Sequence, residues 1–559
     1  MIIVLSISFL LGQVYTELSL PNLMSDIVDE GILNGKFDCI KEIGIEMLLL
    51  SLLSVVCSIG SSYFSIKVAT GMSKTLRRDL FAKVNDFSNA EIDEFSTASL
   101  ITRTTNDVTQ IQNFVAMGLK MMLFAPFMGF GSVFMAIKLC KSLAWVAALA
   151  VVLVLALLGA LLLVALPKFK ALQSLTDKLN LVSREELSGM LVIRAFGNEG
   201  HEEERFEKAN SDLTFTMRFV QRTMALMSPV MQIAMVALQL AIVWIGGHYI
   251  NAGTLQLGDM MAFLQYGQHI LISFLLVSSI FILLPRAQVS ANRIAEVLNT
   301  EVSIKDKEGA EELKNVKGEI VFDDVTFNYG DGTEPALENI SFTAKPGETT
   351  AFIGATGSGK STLINLIPRF YDVTKGSIKI DGKDIRDVKL FDLREAIGLV
   401  PQKAVLFSGT VESNVKYGNE TENITEALKV AQASYVFDKP EGIESPVAQG
   451  ATNVSGGQKQ RLSIARVLAK KPPIYIFDDS FSALDFKTDA ALRRALAKYT
   501  SDATILIVAQ RVSTIMNADQ IIVLEEGKIV GKGTHSELLS SCSYYKAICE
   551  SQLSKEELA

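Results

Sequence analysis

The stretch from Leu143 to Leu166 is an unbroken run of residues without a charged or strongly polar side chain. A helix of about 20 apolar residues crosses the ~30 Å hydrocarbon layer of a bilayer, and a buried helix of a soluble domain is rarely so long and uniform. Part of this chain therefore belongs in a membrane. Ala225 to Gly247, Met260 to Leu284 and Met47 to Ile66 are also long and apolar enough, and Met121 to Ile137 qualifies if flanking residues join it. Residues 1–15 are the sixth candidate. A cleaved signal peptide competes there, but no basic residue precedes the apolar run and no small-x-small site follows it. Six spans are expected.

Charge divides the chain. Of the 114 Asp, Glu, Lys and Arg side chains, 44 lie in residues 1–290 and 70 in residues 291–559. The second half thus approaches the ~25% charged content of a soluble domain, and the first half falls far below it. The segments 67–112 and 167–223 hold 15 Lys and Arg, against four in the short connections near 25–44, 138–142 and 248–259. The positive-inside rule places both long segments, both termini and the second half in the cytoplasm. Stretches such as ALQSLTDKLNLVSREELSG read as amphipathic helix continuing out of the membrane. A net charge of −8 argues against a nucleic-acid partner. The five cysteines (Cys39, Cys57, Cys140, Cys542 and Cys549) form no CxxC pair, so neither a zinc site nor a disulfide framework is indicated.

The expected domains are a membrane domain at 1–290, a charged linker at 291–317 and a soluble α/β domain at 318–559. In the last, the β-branched run TTAFIG leads directly into Gly354-Ala-Thr-Gly-Ser-Gly-Lys360-Ser361 and then a helical stretch. This is the G-x-x-x-x-G-K-[ST] phosphate loop between a strand and a helix. Its glycines let backbone N–H groups close on phosphate, Lys360 reaches the terminal phosphates, and Ser361 is placed to ligate Mg²⁺. A second apolar strand, IYIFDD, ends in Asp478 and Asp479, the pattern that sets a carboxylate beside the magnesium. Ser455-Gly456-Gly457-Gln458 opens another helix; alone it reads first as a capped helix and second as a phosphate-binding N-terminus.

Taken in order, Gly354–Ser361, Gln402 in LVPQ, VSGGQ at 454–458, the strand at 474–478 and SALD at 482–485 resemble the ATP-binding cassette of an ABC transporter. With six preceding spans the chain is similar to a half-exporter of the multidrug type. The segments 95–112 and 186–199 resemble the two intracellular loops that engage the cassettes. The resemblance implies the cofactors ATP and Mg²⁺. Gly354, Thr356, Gly357, Ser358, Gly359, Lys360, Ser361 and Thr362 would hold phosphate, and Tyr329 would stack on adenine. Ser361, Gln402 and Asp478 would hold or sense Mg²⁺, and Asp485 would end the loop that crosses to a partner cassette. It also implies a dimer, in which Ser455, Gly456, Gly457 and Gln458 act in trans on the partner's nucleotide.

Two positions depart from the family pattern. Asp479 stands where most active cassettes carry the Glu that positions the attacking water, and Gln510 follows the strand ATILIVA where a switch histidine belongs. Glutamine is neutral at every pH and cannot become an imidazolium. Tolerated drift in a working site is the plain reading. The favoured one is a degenerate site that binds ATP and hydrolyses it slowly, in one subunit of a heterodimeric exporter whose VSGGQ serves the partner. Val454 for the usual Leu, and Gln449 where homodimeric exporters place Glu, accompany that pattern. A homodimer with slow hydrolysis and an ATP-gated channel or regulator are the alternatives; six spans exclude a soluble DNA-repair ATPase.

Substrate information is sparse. Gln232, Gln239, Gln265, Gln268 and His269 lie in the fifth and sixth spans, as interhelical hydrogen bonds or as the lining of a cavity for an amphipathic solute. Met224, Met227, Met231, Met235, Met260 and Met261 suit either packing or an adaptable surface. The fifth and sixth spans carry no mid-span charge, which disfavours a strongly ionic substrate. The expected location is the cytoplasmic membrane of a bacterium, in contact with lipid. Family members open with an amphipathic elbow helix, whereas this chain starts in apolar sequence at Met1. Either a downstream start site or a shortened first span at residues 1–22 is expected, and mass spectrometry of the native protein distinguishes them.

Overall fold

The computed structural model describes residues 1–141, 143–330, 334–420 and 423–553, except for the side chains of some helical residues, Met227 and many of those at 147–170 among them. The chain forms two compact units, one of Met1–Lys83 with Ala98–Asn299 and one of Val84–Thr97 with Thr300–Ala559.

The first half is helical throughout: α1 (Ile2–Asp26), α2 (Phe37–Asn85), α3 (Asn89–Phe95), α4 (Thr97–Thr102), α5 (Val108–Leu139), α6 (Ala144–Phe196), α7 (Glu199–Asn251) and α8 (Leu257–Asn299). Among the described residues, five stretches are long and apolar enough to cross a membrane: Ile2–Ile32, Phe37–Asn85, Thr97–Leu139, Glu199–Asn251 and Leu257–Val277. Helix α6 carries the uncharged run from Leu143, whose side chains lie largely outside the described residues. Helices α2, α6, α7 and α8 contain 49, 53, 53 and 43 residues. At 1.5 Å per residue each is roughly 65–80 Å long, about twice a bilayer's apolar thickness, so each projects well beyond it.

Prolines 21, 126, 167, 229 and 285 sit inside these helices. A bilayer tolerates them because neighbouring groups re-satisfy the freed carbonyls. Helix α1 packs on α5 and α8 through Leu10, Val14, Leu18, Met128, Phe263 and Ile270. Small residues let the backbones approach: the Ser6 hydroxyl lies 2.8 Å from the Ser65 hydroxyl across the α1–α2 contact. Beyond the apolar stretch, Arg103 donates to Glu296 at 2.6 Å and to Arg293 O at 2.7 Å, while Ser290 donates to Asp107 at 2.9 Å.

The second unit is α/β. Its strands are β1 (Ile320–Phe327), β2 (Leu337–Ala344), β3 (Thr349–Ile353), β4 (Lys375–Ile380), β5 (Lys383–Asp384), β6 (Ile397–Val400), β7 (Gly409–Thr410), β8 (Pro446–Val447), β9 (Ile474–Asp478), β10 (Thr504–Val508), β11 (Gln520–Glu525) and β12 (Lys528–Gly533). The principal sheet has the order β12-β11-β3-β10-β9-β6, parallel except for β12. An antiparallel sheet, β2-β1-β4-β5, lies over one face. The helices are α9 (Lys360–Leu366), α10 (Leu390–Glu395), α11 (Val411–Val415), α12 (Ile424–Val430), α13 (Gly456–Lys470), α14 (Phe486–Tyr499), α15 (Val512–Ile515), α16 (His535–Ser541) and α17 (Ser543–Gln552). Strands β3, β9 and β10 are almost fully buried, hence their continuous β-branched and aromatic runs.

The segment Val84–Thr97 belongs to this unit. A capping box starts α3, in which Ser88 N donates to Glu91 at 2.7 Å. Glu91 also accepts from Ser303 N at 3.0 Å. Burial pushes the Glu91 carboxyl upward, but the hydrogen bonds from Ser88 and Ser303 outweigh it and hold the group below its usual range.

Phe352 of β3 joins the two sheets: it is fully buried, and its ring meets Phe342 edge-on at 5.5 Å. Phe352→Ala should destabilise the cassette by about 3–5 kcal/mol. The readout is a lower urea midpoint for the cassette transition of the full-length chain.

Candidate functional site

Strands β3, β10 and β9 are neighbours, with Val508 level with both Phe352 and Asp478. Their carboxyl ends therefore deliver the 354–362 loop, the 509–511 turn and the Asp478-Asp479 pair to one edge of the sheet. Ligands of open α/β sheets bind at this edge.

The loop is shaped by close approach. A Cβ on Gly354 would sit 2.1 Å from Leu524 O, and Gly359, at φ +93°, would place one 2.7 Å from Leu337 Cδ2. Lys360 folds back over the loop, with Nζ donating to Gly354 O at 2.9 Å, Ala355 O at 2.7 Å and Ser358 Oγ at 3.2 Å. Burial lowers the Lys360 pKa, opposed by Asp479 and Asp478. Ser361 Oγ donates to Asp478 Oδ1 at 3.1 Å, which joins the hydroxyl and carboxylate expected at magnesium. Burial raises the Asp478 carboxyl, and its neighbour Asp479 adds to the rise. Ser358 is buried, whereas Thr356 and Gly357 are exposed.

Tyr329 is exposed, its hydroxyl donating to Thr362 Oγ1 at 3.0 Å and its ring edge-on to Phe327 and Tyr371. The sequence reading missed Tyr371. Its hydroxyl donates to Asp93 at 3.2 Å, so the ring beside Tyr329 is tied to α3. Burial, with Asp93 next, pushes the Tyr371 phenol up to about 12.

The two departures from the family pattern touch each other. Gln510 Nε2 donates to Asp479 Oδ2 at 3.0 Å. Asp479 itself is strained, at φ +45°, with its N–H held by Val508 O at 3.0 Å. Burial raises its pKa, and hydrogen bonds from Ser482 and Gln402 pull the other way, as do the positive Lys360 and Arg511. Arg511 donates to Ser482 O at 3.2 Å and lies over Phe486. Gln552, at the end of α17, brackets the turn: its Nε2 donates to Gln510 O at 2.8 Å and its Oε1 accepts from Val512 N at 2.8 Å. The helical pattern of α17 gives no sign of this clasp in the sequence.

The Ser455–Gln458 segment caps α13. Gln458 N donates to Ser455 Oγ at 3.3 Å and Ser455 N to Gln458 Oε1 at 3.1 Å. Val454 is buried in the core. Asp485 caps α14, accepting from Thr488 N at 3.0 Å. In the membrane unit, Gln239, Gln265, Gln268 and His269 are partly buried and Gln232 is exposed.

A phosphate-cradling loop, a hydroxyl–carboxylate pair and a capped Ser-Gly-Gly helix on this sheet define a nucleotide-binding cassette, fused here to a helical membrane unit. Residues 3–274 match the ABC transporter transmembrane region and residues 337–482 match the ABC transporter family. An uncharacterized ABC transporter ATP-binding protein of Mycobacterium tuberculosis is 41% identical over 543 residues, 96% of this chain and 93% of that protein. An ATP-dependent lipid A-core flippase of Syntrophus aciditrophicus is 31% identical over 552 residues, covering 97% and 90%. A putative multidrug export ATP-binding/permease protein of Bacillus subtilis is 32% identical over 551 residues, covering 95% and 93%. The fold matches that of a bacterial Atm1-family ABC exporter with ATP bound, at TM-score 0.76 and 24% identity over 99% of this chain and 98% of that one. The chain belongs to the ABC transporter family and is a multi-pass membrane protein with its cassette in the same polypeptide.

Gly359→Ala forces a side chain into the left-handed region and against Leu337 and Ala336. A strain of 1–2 kcal/mol corresponds to about a tenfold loss of affinity. Titration with a fluorescent ATP analogue should show that loss, with the helical content of the protein unchanged.

Proposed function

We propose that this chain is one subunit of an ATP-driven exporter in the bacterial cytoplasmic membrane, with its cassette and both termini in the cytoplasm. Its own ATP site is slow, and its Ser455–Gln458 segment completes the competent site of a different partner subunit. The observation that carries the reading is the Gln510–Asp479 hydrogen bond. It occupies one oxygen of a carboxylate already one methylene shorter than Glu, and misplacement by about 1 Å costs ~100-fold in a positioned reaction.

The residues present fit ATP and magnesium. Ser361 and Asp478 would ligate the ion, with Gln402 beside them; bound there, it neutralises charge on the phosphate oxygens. Lys360 and the backbone N–H groups of 354–362 would hold phosphate, and Tyr329 would stack on adenine. Gln510 binds Asp479 without offering a proton that titrates near pH 7. Asp485, capping α14, would orient the loop that reaches the partner. The substrate we infer is amphipathic, in keeping with two relatives named for lipid A-core and for multidrug export.

Expressed alone, the chain should bind ATP with very low turnover. A cognate partner should raise hydrolysis at least about tenfold; robust ATPase activity of the chain alone would refute the slow site and favour a homodimer. Two substitutions in the heterodimer sharpen the test. Asp479→Ala should change steady-state hydrolysis little. Gly456→Asp should abolish hydrolysis and transport together. A Cβ at Gly456 meets nothing within 4 Å of this chain, so the variant should fold, whereas one at Gly457 would lie 3.2 Å from Ala483 O. Two like charges 4 Å apart at an effective dielectric of 20 repel by about 4 kcal/mol, close to a thousandfold in rate. Equal damage from the two substitutions contradicts the assignment.

A further inference from the structure

Helices α1 and α8 enclose a polar cluster within the apolar layer. Their register is fixed by Tyr266, whose hydroxyl lies 2.7 Å from Leu18 O and 2.9 Å from Asn22 Oδ1. One turn deeper, Gln13 Nε2 donates to Glu17 Oε1 at 2.8 Å. On α8, the His269 ring lies edge-on to that of Tyr266 at 6.5 Å, so it faces the stretch of α1 around Glu17 and Leu18. Glu17 is nine residues from the end of α1 at Asp26 and His269 twelve from the start of α8 at Leu257. At 1.5 Å per residue both lie about 14–18 Å inside, near mid-membrane. An ionisable side chain at such depth is expensive and normally faces an interior or a cavity.

This cluster is not closed on itself. Gln13 is 7% exposed, yet its Oε1 has no hydrogen-bond partner, and neither has the buried His269 Nδ1. Helix-to-helix bonding alone would pair these atoms, because an unsatisfied buried acceptor is costly. With His269 neutral and Nδ1 unprotonated, the amide oxygen, the carboxylate and the imidazole nitrogen are all acceptors. No three His, Cys, Asp or Glu side chains among the described residues gather as for a metal ion. An ammonium group brings three N–H donors and one positive charge to this set. Toward the end of the same helix pair, Asp26 lies within electrostatic reach of Glu30, Asp259, Asp29 and Glu46. Asp29 and Asp259 are brought together there through Ser25 Oγ at 3.4 and 3.1 Å. A second acidic group, with Asp29 and Asp259, thus lies at the end of the α1–α8 pair, separated from Glu17 by the uncharged residues 18–25.

We propose that Gln13, Glu17 and His269 form an intramembrane site for the protonated amine of an amphipathic substrate. The inference rests on the exporter reading and names its substrate class. The expectation that a strongly ionic substrate is disfavoured came from the fifth and sixth spans, which carry no mid-span charge, whereas Glu17 lies in the first.

The test uses the full-length protein in nanodiscs, with N-dansyl-1,8-diaminooctane and its N-acetylated, uncharged derivative as probes. Fluorescence anisotropy, corrected with empty nanodiscs, should show wild type binding the amine at least about tenfold more tightly, equivalent to about 1.4 kcal/mol. Glu17→Gln keeps a group able to bond Gln13 and should bring the two affinities together, while Glu17→Asp should retain part of the preference. ATP binding should be unchanged in both. Equal affinities in wild type, or an undiminished preference in a folded Glu17→Gln protein, would overturn the site. The wild-type comparison stands even if the variants fail to fold. ATP-dependent uptake of both probes into inverted vesicles without an amine preference would remove the site and leave the exporter reading intact. Uptake of neither would count against the exporter reading, while the binding ratio still judges the site.

Discussion

The cassette depends on three parallel strands lying side by side in register. Phe352 of β3, Val508 of β10 and Asp478 of β9 stand level, so whatever follows each strand must meet at one edge. Backbone bonds extend that register by one step: Ala509 N donates to Phe352 O at 3.1 Å and Asp479 N to Val508 O at 3.0 Å. The phosphate loop, the two carboxylates and Gln510 are adjacent because the ladder leaves them no other place. The buried aromatic and β-branched side chains on both faces hold the ladder, and through it the site.

Within that frame the two unusual residues are one feature. A neutral amide at position 510 donates to the carboxylate at position 479, and Gln552 fixes the backbone on either side of Arg511. A residue held through its main chain by a third element has little freedom to leave the bond. The Asp479 carboxylate is thus engaged within its own chain, and this contact is the one on which the proposed slow site rests.

Much of this was legible in the linear sequence. The apolar runs announced the membrane helices because a bilayer demands about 20 such residues. The phosphate loop, Asp478 and the Ser-Gly-Gly cap were readable because each is a local motif whose chemistry is set by spacing. What sequence could not supply was pairing at a distance. Asp479 and Gln510 are 31 residues apart and Gln510 and Gln552 are 42 apart, and only the sheet and α17 bring them together. Glu17 was hidden for a different reason. One carboxylate among apolar neighbours barely alters a hydropathy average, and its significance appears only when α8 brings Tyr266 and His269 to the same part of α1.

The central claim is that the ATP bound by this chain's Lys360 and Ser361 outlives the ATP in the partner's site. The most direct measurement is a cryo-EM structure of the assembled transporter frozen during steady-state turnover with ATP and Mg²⁺. The account predicts density for intact ATP in the site lined by Asp479 and Gln510, and density for ADP in the opposite site. ADP beside Asp479, or the same nucleotide in both sites, would contradict it.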